Sequence, residues 1–167
     1  MGEPAADLDL IDLQGRRVTL AAARAKLTLL VFVSPGCSTC ADLIPAVRSI
    51  WRTERRQLEV IILSVVTDDR KNREFVLTHK LENFPVVTAP DVAAKYQVRV
   101  PPYAILVGTD GLVKAKGLVN HLEHLESLLT EARLGHDTIE SYAKHRGAST
   151  LRSAQRGVIG AIEQASA

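Results

Sequence analysis

The chain of 167 residues holds two cysteines, Cys37 and Cys40, standing together as Cys37-Ser38-Thr39-Cys40. Two thiols at this spacing can close a disulfide without moving the backbone, so the pair can give up and take back two electrons. The residues ahead of it, Leu27 to Val33, read Leu-Thr-Leu-Leu-Val-Phe-Val, the continuous apolar run of a strand covered on both faces. Residues 38 to 55 then show helical periodicity. A Cys-x-x-Cys between a buried strand and a helix places its first thiol at unpaired backbone N–H groups, which favour negative charge. Cys37 is therefore expected to attack and Cys40, one turn inward, to resolve. A static disulfide and half of a zinc site are the plain alternatives. Zinc would need two further Cys or His, and His79, His121 and His124 are not spaced as a partner pair, so no metal and no cofactor is expected.

The elements that must hold this pair are legible on either side of it. Leu8-Asp9-Leu10 and Arg17-Val18-Thr19-Leu20, around Gln14-Gly15, predict a β-hairpin. In the helix after the motif, Leu43, Val47, Ile50 and Trp51 make the inward stripe, and Pro45 is expected to kink it. Leu58 to Val66 predicts a second buried strand, Asp69 to Lys80 a helix with Phe75 and Val76 inward, and Phe84 to Thr88 a short extended piece. A short helix follows near Asp91 to Tyr96. Tyr103 to Val107 and Leu112 to Val119 form a hairpin over Gly108-Thr109-Asp110-Gly111. A last helix is expected from Asn120, capped by that side chain with Glu123 at the capping-box position, and with Leu122, Leu125, Leu128 and Leu129 inward. His121 and His124 alternate there with Glu123 and Glu126 and read as a solvated face. One more short helix is expected from Asp137 to Arg146. Residues 147–167 read as a loosely attached or disordered tail.

This order of elements is an α/β fold: a central mixed β-sheet with helices on both faces and an N-terminal β-hairpin. The length suits one domain with a full core. The net charge of +2 and the absence of a basic cluster interleaved with aromatics argue against a nucleic-acid partner. The run Arg52 to Arg56 fits the solvated end of a helix. No apolar stretch approaches the roughly 20 residues that cross a bilayer, and Met1-Gly2-Glu3-Pro4 has neither a basic nor an apolar leader region.

The strand, Cys37-x-x-Cys40, Pro45 five residues later and a proline just before the Tyr103 strand together resemble the thioredoxin superfamily. The leading hairpin and the run Tyr96-x-Val98-Arg99-x-x-Pro102-Tyr103-Ala104-x-Leu106 resemble its membrane-tethered thiol-disulfide oxidoreductase branch. Ser34-Pro35-x-Cys37-x-x-Cys40, Pro102-Tyr103-Ala104 and Gly117-Leu118-Val119-Asn120-x-x-Glu123-His124-Leu125-Glu126-Ser127-Leu128 are most similar to the methylamine-dehydrogenase accessory family of thioredoxin-like proteins. The resemblance implies a thioredoxin-like domain over residues 1–146, acting as a monomer. It implies a periplasmic or otherwise extracytoplasmic place, a protein client with cysteines and a thiol-disulfide electron partner. The membrane would be reached only through an N-terminal anchor that is not present in this chain. Pro102 aligns with the superfamily's cis-proline, which presents backbone to an extended client. Pro101 before it has no N–H to offer, so docking is expected to be weaker or differently registered.

Several positions depart from the superfamily's pattern. Gly36 stands where thioredoxins commonly carry tryptophan and uncovers Cys37, which places it with Pro101 and Pro102 among the expected client-contact residues. The buried acids that assist the second cysteine in thioredoxins and in some tethered relatives fall here at Val31 and Leu43, both apolar, so slow resolution of a mixed disulfide is expected. Ser38-Thr39 lacks the histidine of strongly oxidising relatives, which implies an intermediate redox potential. Two other classes compete. A peroxiredoxin-like peroxidase would need its nucleophile three residues after Thr39, where Asp42 stands. A copper chaperone would usually add Met or His to the pair, and Met1 is the sole methionine.

Overall fold

The computed structural model describes residues 2–20 and 25–137. By compactness the chain divides after Ala132: Met1–Ala132 is one unit, and Arg133–Ala167 is the other. The helix expected at residues 137–146 and the tail expected at 147–167 lie outside the described residues beyond Asp137.

The first unit opens with the hairpin β1 (Asp9–Ile11) and β2 (Arg17–Thr19), paired antiparallel with Asp9 opposite Thr19. Its turn is organised by Asp12, a buried carboxylate that accepts from the N–H groups of Gln14 and Arg16 and from Arg16 Nε. Gly15 supplies the left-handed residue that the turn needs, at φ 85°. The remaining strands are β3 (Leu27–Val33), β4 (Leu58–Ser64), β5 (Val86–Thr88), β6 (Tyr103–Val107) and β7 (Val113–Leu118). They form one sheet in the order β5-β4-β3-β6-β7. β3 runs parallel to β4 and antiparallel to β6, so the sheet is mixed. β3 lies at its centre, which is why its run of side chains is apolar on both faces.

Alternation along the strands divides the core into two layers. Leu29, Val31 and Val33 point to the side of the helices α1 (Ser38–Glu54), α2 (Asp69–His79) and α4 (Leu122–Asp137), meeting Leu43, Val47, Phe75, Leu125 and Leu129. Leu30 and Phe32 point to the other side, against the hairpin and α3 (Pro90–Lys95), through Val18, Leu20, Val92 and Ala93. The chain start is stitched to the outer edge of β7: Gly2 N–H donates to Val113 O, Val113 N–H to Glu3 O, and Ala5 N–H to Gly111 O.

Four sequence expectations are corrected at their edges. β4 stops at Ser64 rather than Val66, because the Ser64 hydroxyl accepts from Val66 N–H at 3.1 Å and closes the strand locally. α2 ends at His79, with Lys80 left-handed at φ 55° as its C-cap. Trp51 is only partly buried and meets Phe84 edge-on, while Ile44 completes the inward stripe of α1. α4 begins at Leu122, not after an Asn120 cap: the Asn120 N–H is taken by His124 Nδ1 at 2.9 Å, and Glu123 bonds the His121 ring instead of reaching back.

Candidate active site

β3 delivers the chain to the carboxyl edge of the sheet, where a four-residue turn feeds it into α1. Pro35 and Gly36 occupy the middle of that turn, and it closes with Cys37 N–H donating to Ser34 O at 3.0 Å. Cys37 is itself the N-cap of α1, in extended conformation at φ −96° and ψ 116°. Its sulfur accepts from the Cys40 N–H at 3.2 Å, in the position a serine or aspartate oxygen would ordinarily fill. The first sulfur is thus aimed at the orphan donors of a 17-residue helix.

Both cysteines are free thiols, and they differ in setting: Cys37 is half-buried and Cys40 is fully buried. Burial first, and then the hydrogen-bonded Cys37 beside it, push the Cys40 thiol from 9.0 up to about 12. Ser34 N–H donates to the Cys40 sulfur at 3.4 Å and works in the opposite direction. Val31 and Leu43, where an assisting acid would stand, are each 0% exposed and belong to the same apolar cluster as Cys40.

The loop before β6 closes the site from the other side. The Pro101–Pro102 peptide is cis, and Pro101 O lies 3.9 Å from the Cys37 sulfur. Pro102 O accepts from Val119 N–H at 3.2 Å, which extends the β6–β7 ladder by one bond. Val100 and Leu118, 60% and 58% exposed, flank this loop. Gly36 is exposed, and a Cβ built there meets nothing within 4 Å, so open space rather than crowding surrounds this position.

Every residue singled out from the sequence as a candidate, Gly36, Cys37, Cys40, Pro101 and Pro102, therefore lies in the β3–α1 turn, the first turn of α1 or the loop before β6. The sequence reading missed Ser34, whose N–H and C=O each serve one cysteine. The Ser-Pro-Gly turn chemistry ahead of Cys37 is the signal that could have found it. Among the described residues no group of three or more His, Cys, Asp or Glu could hold a metal ion, and no helix is long and apolar enough to cross a membrane.

Comparison with known proteins agrees with this architecture. A model of the AhpC/TSA family matches residues 1–121. The chain is 35% identical over 147 residues to the methylamine utilization protein MauD of Methylobacillus flagellatus, covering 87% of this chain and 70% of that protein. It is 34% identical over 146 residues to MauD of Paracoccus versutus, covering 87% and 73%. The thioredoxin domain of a thiol-disulfide oxidoreductase from Bacteroides vulgatus superposes with a TM-score of 0.66 at 23% identity, over 75% of this chain and 95% of that one. That likeness establishes the fold.

Proposed function

The chain belongs to the AhpC/TSA family and to the family of the methylamine utilization proteins MauD, and we propose that it is a thiol-disulfide oxidoreductase acting on a protein client through Cys37 and Cys40. The reading rests on the two sulfurs: one is accessible at a helix N-terminus, and the other is buried directly behind it. In the reducing direction the Cys37 sulfur attacks a client disulfide. A Cys37–client bond forms, the client's own S–S bond breaks, and its second sulfur leaves as a thiolate. Cys40 then attacks the Cys37 sulfur. The Cys37–Cys40 bond forms, the mixed disulfide breaks, and the proton that Cys40 gives up ends on the departing client thiolate. Two electrons pass to the client, and the reverse sequence donates a disulfide.

Resolution is the slow half, because the buried Cys40 thiol holds its proton and hydrocarbon fills the places of an assisting acid. The client docks as an extended segment over the Pro101–Pro102 loop. It receives no backbone N–H from Pro101, which favours few clients over many. The redox potential is intermediate, and titration in glutathione buffers measures it directly. Within this reading the protein is a monomer that works outside the cytoplasm beside a membrane. It takes electrons from, or gives them to, a second thiol-disulfide protein, and its client is a disulfide-rich enzyme, in keeping with relatives named for methylamine utilization.

The test is capture. With Cys40→Ala expressed in the native host, a mixed disulfide on Cys37 is expected, and the captured protein is the client. If Cys37 remains a free thiol while host disulfides form normally, exchange through this pair is wrong. Peroxide consumption by the purified protein would favour a peroxidase instead.

A further inference from the structure

His124 takes no part in the exchange chemistry, yet its ring holds the backbone N–H next to the one that bonds Pro102. The last bond of the β6–β7 ladder runs from Val119 N–H to Pro102 O. Pro102 follows the carbonyl that faces the Cys37 sulfur at 3.9 Å. Val119 is anchored inward by its side chain, which is fully buried in the cluster that contains Cys40. The next residue, Asn120, is exposed and precedes α4, so its N–H has no place in either the ladder or the helix. His124 Nδ1 accepts that N–H at 2.9 Å, while the His124 backbone N–H donates to the His121 backbone carbonyl at 3.0 Å. The His121 ring stacks on the His124 ring with centroids 3.9 Å apart, and Glu123 Oε1 accepts from His121 Nδ1–H at 2.9 Å.

We propose that His124 is a positioning residue for client docking: its neutral imidazole fixes the Val119–Asn120 corner, and through it the Pro101–Pro102 loop beside Cys37. The assignment rests on the oxidoreductase reading above. An imidazole nitrogen that accepts a hydrogen bond carries no proton, so the role belongs to the neutral ring with its hydrogen on Nε2. Glu123 and His121 set the ring's orientation from one side, and Asn120 receives its lone pair on the other. The kind of substrate that feels this device is an extended polypeptide, which lies along the proline loop. A small disulfide needs only the Cys37 sulfur.

Two substitutions separate the acceptor from the ring. His124→Phe keeps a ring to stack on His121 and deletes the acceptor. His124→Asn loses the ring and returns an acceptor oxygen close to the place of Nδ1. The pre-reduced full chain is mixed with two oxidants in single-turnover experiments: an eight-residue peptide whose cysteine is in mixed disulfide with glutathione, and 5,5′-dithiobis(2-nitrobenzoate). For His124→Phe the peptide concentration at half-maximal rate is expected to rise about fivefold, the scale of one lost hydrogen bond, with the small-disulfide rate within about twofold of wild type. His124→Asn is expected to restore the peptide value. Equal losses on both oxidants, a His124→Asn that behaves like His124→Phe, or a His124→Phe that matches wild type would each overturn the assignment. Wild type that exchanges with neither oxidant would overturn the oxidoreductase reading and this assignment with it.

Discussion

Helices α1 and α2 leave neighbouring parallel strands at the same edge of the sheet, and they are begun in opposite ways. α2 is capped by the Asp68 carboxylate, which accepts from Arg70 N–H at 3.0 Å and Lys71 N–H at 3.2 Å, and it carries Asp69 in its first turn. α1 has no acid in its first turn and is capped by the Cys37 sulfur, a weaker acceptor. One helix terminus is used for stability. The other leaves its field to fall on a reactive atom, and a cap of the ordinary kind there would remove the chemistry.

The most severe way to test that contrast is to make α1 begin as α2 does. Cys37→Asp is expected to lower disulfide exchange by about a thousandfold or more, since the nucleophile is gone, while raising stability by about 1 kcal/mol through a better cap. Parallel exchange assays and urea unfolding check the two signs, and a variant less stable than wild type would break the comparison.

The next effect is on pH, and it lies in the cysteine behind the cap. Burial, the larger cause of the raised Cys40 thiol, persists when Cys37 is engaged in a mixed disulfide. The Cys40 thiolate fraction then grows tenfold per pH unit, so release of a trapped peptide is expected to speed up about a hundredfold from pH 7 to pH 9. Stopped-flow release kinetics measure this, and a flat profile would mean that an unseen base assists. The same shift has a sign for stability. The folded thiol holds its proton more tightly than the unfolded one, so the reduced protein keeps this contribution below pH 9 and loses it as pH rises toward 12. Urea unfolding of the reduced protein at pH 8 and pH 10 checks it.

Weakening the other helix gives a smaller change of the opposite kind. Asp68→Ala is expected to cost about 1 kcal/mol of stability and leave exchange within about twofold. A loss of exchange in the folded variant would show that the α2 terminus serves the site as well. The smallest effect is expected at Gly36, where the space for a side chain is open. Gly36→Trp should slow alkylation of Cys37 by about threefold through cover alone, with stability unchanged. Iodoacetamide kinetics read it, and no slowing would mean that Gly36 does not set the exposure of Cys37.

Much of this was legible in the residues. The apolar run of β3, the Cys-x-x-Cys, the Asp110-Gly111 turn and the Leu face of α4 each carry a local pattern, and local patterns survive folding. What was misread depends on partners distant in sequence or on side chains used in unusual ways. Nothing local announces that Ser64 will turn its hydroxyl to Val66 N–H and end β4, since that geometry is held by Asn72 Oδ1, 2.7 Å from the same hydroxyl. The start of α4 misled for a related reason. Asn120 and Glu123 have the composition of a capping box, but a histidine three residues into the helix took the N–H that the pattern reserves for an acid. At the site, the cysteines and prolines were readable by type. Ser34 acts through its main chain, so only the turn chemistry of Ser34-Pro35-Gly36, and not the serine side chain, points to it.

The stitching of the chain start to β7 sets a direction within the first unit. Residues 2–5 bond to the Gly111–Val113 end of that strand, whereas its other end runs through Leu118 and Val119 to the carbonyl of Pro102, the residue after the Pro101 carbonyl that faces Cys37. The five residue steps between Val113 and Leu118 span roughly 17 Å. Anything joined ahead of Gly2 would leave from the end of β7 opposite the thiols. Held from that side, the domain presents Cys37 outward, toward whatever it meets.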